Sequence, residues 1–245
     1  MKATFAIISA LLLASSACSG SPRPAAGEQA AMVSLADKIV PRPVSVVEGE
    51  GSFTFGETTL LCVEDESLRP LGDYLRGYIP TLADEGGIAG FVRRHTGTAR
   101  LTLALAGGLP AEGYRLSVGP RGVRVEGADY GGVFNGLQTL LQLLPPKVYA
   151  GGMDVCGVSL PAVTVEDSPR FAYRGMMLDI ARTFSGKERV MKFIDNISHH
   201  KINKFHWHIT DDEGWRVEIK SHPELALEAG FRGGESPVPP AYGEW

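Results

Sequence analysis

The chain has 245 residues, of which 44% are hydrophobic and 21% are charged, and its formal net charge is −4. This composition supplies enough apolar side chains for a packed core and excludes an intrinsically disordered protein. The slight negative charge, together with the lack of any run of basic residues, argues against nucleic acid as a partner, because phosphate binding depends on clustered Lys and Arg.

Residues 1–18 are typical of an export signal. A positive charge near the N-terminus is followed by an apolar run, from Phe5 to Ala14, that is too short to span a bilayer as a helix. Small residues then lead to Cys18, which predicts an exported bacterial lipoprotein acylated at Cys18. Such a protein would reside in the periplasm or at the outer membrane or cell surface, and its lipid would be its only membrane contact. Ordinary cleavage near Ala17 is the alternative, since Ser15 stands where such signals usually carry Leu.

The segment 19–37 begins with small, polar and proline-bearing residues and is interpreted as a linker between the anchor and the fold. Beyond it lie two further cysteines, Cys62 and Cys156. They are interpreted as two buried thiols. A disulfide between them is the alternative if the protein resides in an oxidising compartment.

Residues 38–166 mix strand and helix signals. The segment YRLSVGPRGVRVEG, 114–127, predicts two strands around a Gly-Pro-Arg-Gly turn. Two segments, 68–79 and 133–144, space leucines and other apolar residues at helical intervals, and two prolines end the second. Further strands are predicted at 52–55, 58–64 and 99–106. Strands and helices mixed in this way predict a compact α+β domain.

The pattern changes in residues 167–245. The apolar segment 172–181 is typical of a parallel strand that is buried on both faces. A helix follows, for which Ser185 and Glu188 predict a capping box, and then a second strand at 203–210. The buried stripe of that helix is predicted to consist of Val190, Phe193, Ile194 and Ile197.

A short helix is predicted at 222–230, with Pro223 in its first turn and Gly230 at its end. The succession of strand, helix and strand indicates a right-handed βαβ unit. The fold class predicted is therefore an α+β N-terminal domain followed by the first βα units of a (β/α)8 TIM barrel. Because such a barrel needs roughly 200 residues or more, we expect the barrel to be truncated in this chain.

The segment KFHWHITDDEGWRVEI, 204–219, concentrates chemically active side chains. Strand alternation places His206 and His208 on one face and Trp207 on the other, where we expect it to be part of the core. Asp211 follows the strand's C-terminal end, which is the catalytic rim of an α/β barrel. The preceding strand, LDIAR, carries Arg182 just past its own end, so both side chains are expected on one rim.

Three interpretations of this rim compete. His206 and His208 with a carboxylate could form part of a metal site. Alternatively, both histidines are structural groups, which is the interpretation favoured for them. In the third, Arg182 holds vicinal sugar hydroxyls as a bidentate donor, while Asp211 orients an imidazole or raises the pKa of a catalytic acid. In that case Trp215 could offer a stacking face to a sugar ring.

The segment 173–225, which contains the run HWH-x-x-DD-x-GWR-x-E, closely resembles the start of the catalytic barrel of family 20 glycoside hydrolases, the β-N-acetylhexosaminidases. Segments 39–55 and 112–145 resemble the small α+β domain that precedes that barrel. The resemblance implies that Arg182 grips the terminal sugar's hydroxyls. It also implies that Asp211 hydrogen-bonds a histidine, further along the barrel, that contacts the catalytic acid. The chain has Thr183 where family members usually carry His.

The resemblance further implies substrate-assisted retaining hydrolysis, an exception to the two-carboxylate scheme. In this mechanism the substrate's 2-acetamido oxygen attacks the anomeric carbon, an Asp orients the acetamido group, and an adjacent Glu protonates the leaving oxygen. No metal or cofactor is implied. That Asp-Glu pair is expected beyond Trp245, and the pair Asp212-Glu213 is not assigned this role.

The sequence therefore predicts an exo-β-N-acetylhexosaminidase acting on terminal GlcNAc or GalNAc of glycans or chitooligosaccharides. The partner would be an N-acetylhexosamine-terminated oligosaccharide, and the 245-residue chain alone would be inactive. Two alternatives stay open. The first is a non-catalytic or vestigial sugar-binding lipoprotein, and the second is a metal-dependent barrel hydrolase.

Overall fold

The computed structural model describes residues 34–56, 59–84, 99–211 and 214–230. The predicted export signal, Cys18, most of the linker and the pair Asp212-Glu213 lie outside the described residues. Among the helices in the described ranges, none has the length and hydropathy needed to cross a membrane.

The first part of the described chain is built on a seven-stranded mixed sheet. Its strand order is β1-β7-β5-β6-β4-β2-β3, where β1 to β7 are Ser45–Thr54, Thr59–Val63, Leu82–Asp84, Arg100–Leu105, Tyr114–Gly119, Gly122–Gly127 and Ser159–Asp167. The strands β2, β3, β4 and β6 pair in parallel, whereas β1, β7, β5 and β6 pair antiparallel. The predicted hairpin is confirmed as β5 and β6.

Among the described residues two α-helices accompany this sheet, α1 at Arg69–Tyr78 and α2 at Tyr130–Leu143. Both lie where the helical spacing predicts them, and their predicted apolar faces are buried. The side chain of Asp129 begins α2 by accepting a hydrogen bond from the Gly132 N–H at 2.8 Å. Three 3₁₀ turns lie at Leu35–Lys38, Glu66–Leu68 and Pro146–Ala150. These elements confirm the predicted α+β domain.

Helix α2 approaches the sheet through glycine. A Cβ atom on Gly132 would lie 2.2 Å from the carbonyl oxygen of Gly113, the residue immediately before β5. Atoms cannot approach this closely without displacement, so the contact between helix backbone and strand backbone requires glycine here.

The second part contains β8 at Gly175–Asp179, α3 at Lys187–His199, β9 at Lys204–His208 and α4 at Pro223–Glu228. The strands β8 and β9 are parallel, with Gly175 opposite Lys204 and Asp179 opposite His208. The predicted strand–helix–strand unit and the short helix beginning at Pro223 are thus confirmed.

Several local predictions for this part were wrong. The N-cap of α3 is Gly186, with no side-chain cap, so Ser185 and Glu188 form no capping box because Ser185 lies one residue too early. In the helix's predicted stripe Val190 and Ile197 are buried, while Phe193 is only partly buried and Ile194 is 42% exposed.

Strand β8 was predicted to be buried on both faces, and Trp207 was assigned to the core, yet Met176, Met177 and Trp207 are all exposed. The described part of this sheet has two strands, with α3 as the helix between them, so much of its apolar surface is uncovered by described residues. Apolar residues on a parallel strand are buried only where other layers cover both faces. Of the two thiols, Cys62 is buried as predicted, whereas Cys156 is exposed.

Polar side chains join the two parts of the described chain. Glu112, which precedes β5, contacts the guanidinium of Arg174 and accepts a hydrogen bond from the Asn203 amide at 2.9 Å. Arg174 lies just before β8 and Asn203 just before β9. One carboxylate of the first domain thereby holds the N-terminal ends of both strands.

A second contact at this junction is buried. The ammonium of Lys201 donates to the Tyr114 hydroxyl at 2.9 Å and to the Asp167 carboxylate at 3.1 Å. The side chains of Lys201 and Asp167 are 6% and 13% exposed. Desolvation lowers the pKa of Lys201, against the opposing attraction of Asp167.

Candidate active site

The candidate site lies at the C-terminal ends of β8 and β9. Asp179 and His208 are the last residues of these strands and stand opposite one another in the parallel register. The pairing continues past the strands, where the Ile180 N–H donates to the His208 carbonyl at 2.9 Å. The loops that follow therefore leave the sheet side by side and bring Arg182 and Asp211 together.

The guanidinium of Arg182 lies between two carboxylates. Its two terminal nitrogens are each 2.8 Å from a carboxylate oxygen, one of Asp179 and one of Asp211. The Asp179 carboxylate also accepts the backbone N–H groups of Ala181 and Arg182, both at 3.0 Å. These contacts fix the plane of the guanidinium, and the Arg182 side chain remains 37% exposed. Arg182 and Asp211 lie together at the adjacent strand ends as predicted, and the contact between them was not predicted.

The environment of Asp179 favours its ionised form. Partial desolvation acts to raise the pKa of this carboxyl, but the backbone and side-chain hydrogen bonds from Arg182 outweigh it and hold the pKa below its ordinary value. Asp179 is therefore a carboxylate at neutral pH, and it positions Arg182 electrostatically.

Asp211 also contacts a histidine within the described chain. Its Oδ2 atom lies 2.9 Å from Nε2 of His208, the same oxygen that contacts Arg182. The loop is closed by two backbone hydrogen bonds of 3.2 Å between Asp211 and Gly214. His208 was interpreted as structural from the sequence, and the structure brings it into the candidate site. The H-x-x-D spacing from a strand end into a tight turn is the signal that could have identified it.

The metal interpretation finds no ligand cluster in the described ranges. The rings of His206 and His208 share one strand face, with centroids 6.1 Å apart. The described residues contain no group of three or more His, Cys, Asp or Glu side chains placed to hold a metal ion. Within this part of the chain, His208 is a partner of Asp211 in a hydrogen-bonded site.

Arg216 holds the two rim loops together, a role that sequence reasoning did not assign. Its guanidinium donates to the carbonyls of Ile180 and Ala181 at 3.2 and 2.9 Å, and it also contacts the carbonyl of Gly230. The loop after β8 is thereby attached to the segment after β9. In the sequence, Arg216 appeared only as part of the GWR run, and no role was predicted for it.

The tryptophans stand apart from these contacts. Trp207 lies on the opposite strand face from His206 and His208 and stacks on Phe205, with ring centroids 6.3 Å apart. The indole of Trp215 is partly buried and donates its N–H to the Val217 carbonyl. The stacking role considered for Trp215 stays a prediction. Thr183 is exposed beside Arg182.

The sequence matches two family models along most of its length. Residues 36–168 match glycosyl hydrolase family 20, domain 2, and residues 171–242 match the family 20 catalytic domain. The chain belongs to glycosyl hydrolase family 20. Its α+β domain and the beginning of its barrel correspond to these two matched regions, as the fold predicted.

Several proteins similar to this chain are β-hexosaminidases. The chain is 38% identical to a β-hexosaminidase of Porphyromonas gingivalis over 189 residues, covering 76% of this chain and 24% of that protein. It is 33% identical to a β-hexosaminidase of Vibrio furnissii over 204 residues, covering 83% of this chain and 31% of that protein. The family 20 chain thus spans about a quarter to a third of these relatives' length.

Solved structures of β-N-acetylhexosaminidases are also similar to this chain. The N-acetyl-β-hexosaminidase of Streptomyces plicatus in complex with Thio-NAglucal superposes with a TM-score of 0.68 and 35% sequence identity, covering 86% of this chain and 41% of that one. A family 20 β-N-acetylhexosaminidase from Streptomyces coelicolor A3(2) has a TM-score of 0.69 and 33% identity, covering 86% and 42%.

Proposed function

We propose that the protein to which this chain belongs is an exo-β-N-acetylhexosaminidase, which removes terminal N-acetylhexosamine residues from glycans or chitooligosaccharides. The observation that carries the proposal is the Arg182 guanidinium held between Asp179 and Asp211 at adjacent strand ends of the barrel rim. A planar cation fixed in this way is suited to donate two parallel hydrogen bonds to vicinal hydroxyls. The names of the similar proteins, β-hexosaminidase and N,N'-diacetylchitobiase among them, support the same activity.

Arg182 and Asp211 have separate roles in this proposal. Arg182 binds the hydroxyls of the terminal sugar, and this binding fixes the sugar's orientation before reaction. Asp211 is a positioning residue: its carboxylate holds Arg182, contacts His208, and is available to orient the imidazole that the family pattern places beside the catalytic acid. Asp179 completes the support by fixing Arg182 from the other side.

The proposed chemistry is substrate-assisted. The oxygen of the substrate's own 2-acetamido group attacks the anomeric carbon as the glycosidic bond breaks, and a carboxylic acid donates its proton to the leaving oxygen. Water then opens the cyclic intermediate, and the product keeps the original anomeric configuration. The described residues contribute by binding the terminal sugar and by forming the hydrogen bonds that position Arg182 and Asp211.

The test measures hydrolysis of p-nitrophenyl N-acetyl-β-D-glucosaminide by the protein that the complete reading frame encodes. We expect turnover that is insensitive to EDTA, and Arg182→Ala should lower kcat/KM on the order of 100-fold or more because the hydroxyl contacts are lost. Asp211→Asn should lower kcat more than it changes KM, on the order of 10–100-fold, if its charge orients the catalytic groups. Lys187→Ala, an exposed change in the first turn of α3, is the control and should leave both constants unchanged.

Other outcomes would support the remaining candidates. Saturable binding of the aryl glycoside without release of nitrophenol would favour a non-catalytic sugar-binding protein. Activity lost in EDTA and restored by a divalent metal would favour a metal-dependent hydrolase. Full activity of the Arg182→Ala protein would contradict the assignment of the sugar site to this rim.

We also propose that the protein is exported and acylated at Cys18, on the strength of the sequence pattern in residues 1–18. Radiolabelled palmitate should be incorporated into the protein expressed in a Gram-negative host, and Cys18→Ser should abolish incorporation. Export of an unlabelled protein would indicate ordinary signal cleavage.

A further inference from the structure

A cleft of about 680 Å³ lies far from the candidate active site, between the first domain and helix α3. On the domain side it is lined by residues of α1, of α2 and of the 3₁₀ turn Pro146–Ala150, and on the other side by residues from the second half of α3. The active-site rim lies before the N-terminus of α3. Since α3 has 13 residues, its C-terminal His199 is displaced from its first turn by roughly 18 Å along the helix axis.

Three aromatic rings form one wall of the cleft. The ring of His199 lies 4.5 Å from that of Tyr149 and 5.9 Å from that of Tyr78, measured between centroids. Tyr78 and Tyr149 also contact each other edge to face at 6.4 Å. All three are partly buried, so the rings hold one another in place while part of their surface faces the cleft.

The α3 side of the cleft, to which His199 belongs, also carries polar groups. Lys192, Asp195, Asn196 and His199 are spaced at i, i+3, i+4 and i+7, so they share one face of α3, and all of them line the cleft. Within the described part of the chain, the side chains of Lys192, Asp195 and Asn196 form no hydrogen bond or ion pair. Lys192, Asp195 and Asn196 are exposed, so their polar groups are accessible to a ligand in the cleft.

His199, which lines the cleft, carries a fixed acceptor. Its Nδ1 lies 3.0 Å from Oε1 of Gln138, whose amide nitrogen donates to the Tyr74 hydroxyl. Because Oε1 can only accept, Nδ1 carries the proton in the neutral ring, and Nε2 is left as an acceptor. Burial lowers the pKa of His199 and so favours this neutral form.

We propose that this cleft is a second, non-catalytic binding site for a saccharide. A pyranose ring has apolar C–H faces that can lie on the wall formed by Tyr78, Tyr149 and His199, and hydroxyls that both donate and accept. The cleft offers the matching groups in short range of one another: an ammonium, an amide, a carboxylate and an imidazole acceptor. A purely anionic ligand would use the ammonium groups alone and would be repelled by Asp195.

Such a site would hold a sugar unit at the end of the barrel opposite to the catalytic rim. It would keep the protein attached to a multivalent glycan while the rim acts on chain ends, raising the local concentration of those ends. The site does not depend on the proposed catalysis, which is tested separately by the activity of the unsubstituted protein.

The experiment is calorimetric titration with an S-linked chitotetraose, a thioglycoside that resists hydrolysis, against the complete protein carrying Arg182→Ala, which removes the sugar grip at the rim. We expect saturable binding to persist. Adding Asn196→Ala or Tyr149→Ala should weaken this binding by at least about tenfold, which corresponds to ~1.4 kcal/mol. Asn196 is exposed on a helix, so its substitution tests the cleft even if the tyrosine change disturbs packing.

The matched control is Lys187→Ala, at the other end of the same helix, which should leave the dissociation constant unchanged. Two results would overturn the proposal. One is the absence of saturable binding in the Arg182→Ala protein. The other is binding that Asn196→Ala and Tyr149→Ala leave as tight as Lys187→Ala does.

Discussion

Removing the Asp167 carboxylate should lower the free energy of unfolding more than removing its charged partner, Lys201. In Asp167→Ala the Lys201 ammonium stays 6% exposed at the side-chain level and keeps only the neutral Tyr114 hydroxyl. Removing one member of a buried ion pair in this way costs about 3–5 kcal/mol, because the remaining charge is left uncompensated. In Lys201→Met the Asp167 carboxylate keeps the Tyr114 hydroxyl at 3.4 Å and the Val44 N–H at 3.3 Å, so we expect a loss of about 1–3 kcal/mol.

The assay is urea unfolding of the two single variants and of the double variant Asp167→Ala/Lys201→Met. The double variant contains neither charge, so its loss of unfolding free energy should fall short of the sum of the single losses by on the order of 1–3 kcal/mol. The reasoning would be refuted by additive effects, or by an Asp167→Ala protein as stable as Lys201→Met. Either result would mean that the buried charge pair is not what determines the stability of this junction.

Two further predictions concern packing and pH. Gly132→Ala should lower the unfolding free energy by on the order of 1–3 kcal/mol in chemical denaturation, because the new methyl would overlap the Gly113 carbonyl. Gly77→Ala in α1, where nothing lies within 4 Å of the new atom, should instead stabilise by roughly 0.5–1 kcal/mol, and equal effects would contradict this account of α2. Desolvation, which outweighs the nearby Asp195, lowers the pKa of His199 from its ordinary value of 6.5, so below that pH the unfolded chain gains a proton that the folded chain resists. The free energy of unfolding should therefore decrease as the pH is lowered from 7.5 to 5.5, and His199 should contribute no more than about 1.4 kcal/mol per pH unit to this decrease. A series of melting temperatures over this pH range should show a weaker pH dependence for His199→Phe than for the unsubstituted protein. An unchanged slope would show that His199 is not the responsible group.

The candidate site at the strand ends was predictable in position but not in its contacts. The positions of Arg182 and Asp211 could be predicted because both follow apolar strand segments, and parallel strands that are joined by one helix end at the same edge. Their mutual contact through a single Asp211 oxygen, shared with His208, depends on how two loops turn after the strands. Side-chain alternation placed His208 on the correct face but could not tell a structural histidine from one that bonds the site carboxylate.

Two of the errors have a common origin in burial. Apolar segment 172–181 was assigned two covered faces, and Trp207 a core position, because hydrophobicity reports what a side chain prefers. Burial also requires neighbouring elements that cover the side chain, and the described elements leave Met176, Met177 and Trp207 exposed. The capping box failed for a different reason: helix α3 begins one residue later than the S-x-x-E spacing requires, and a cap depends on the backbone angles of that single residue.

By itself the sequence determined the type of most of the described helices and strands, though not of β3 and β7, together with the change from an α+β domain to a barrel unit and the family. These features follow from local periodicity, turn residues and a long motif, all of which can be read within a few tens of residues. Only the tertiary structure decided that β1 pairs with β7, where Ser45 stands opposite Glu166, that Glu112 and Asp167 reach across to the starts of the barrel strands, and that an aromatic and polar cleft opens beside α3. Contacts between residues so distant in sequence depend on how whole elements pack, and no local pattern of side chains encodes the partner they meet.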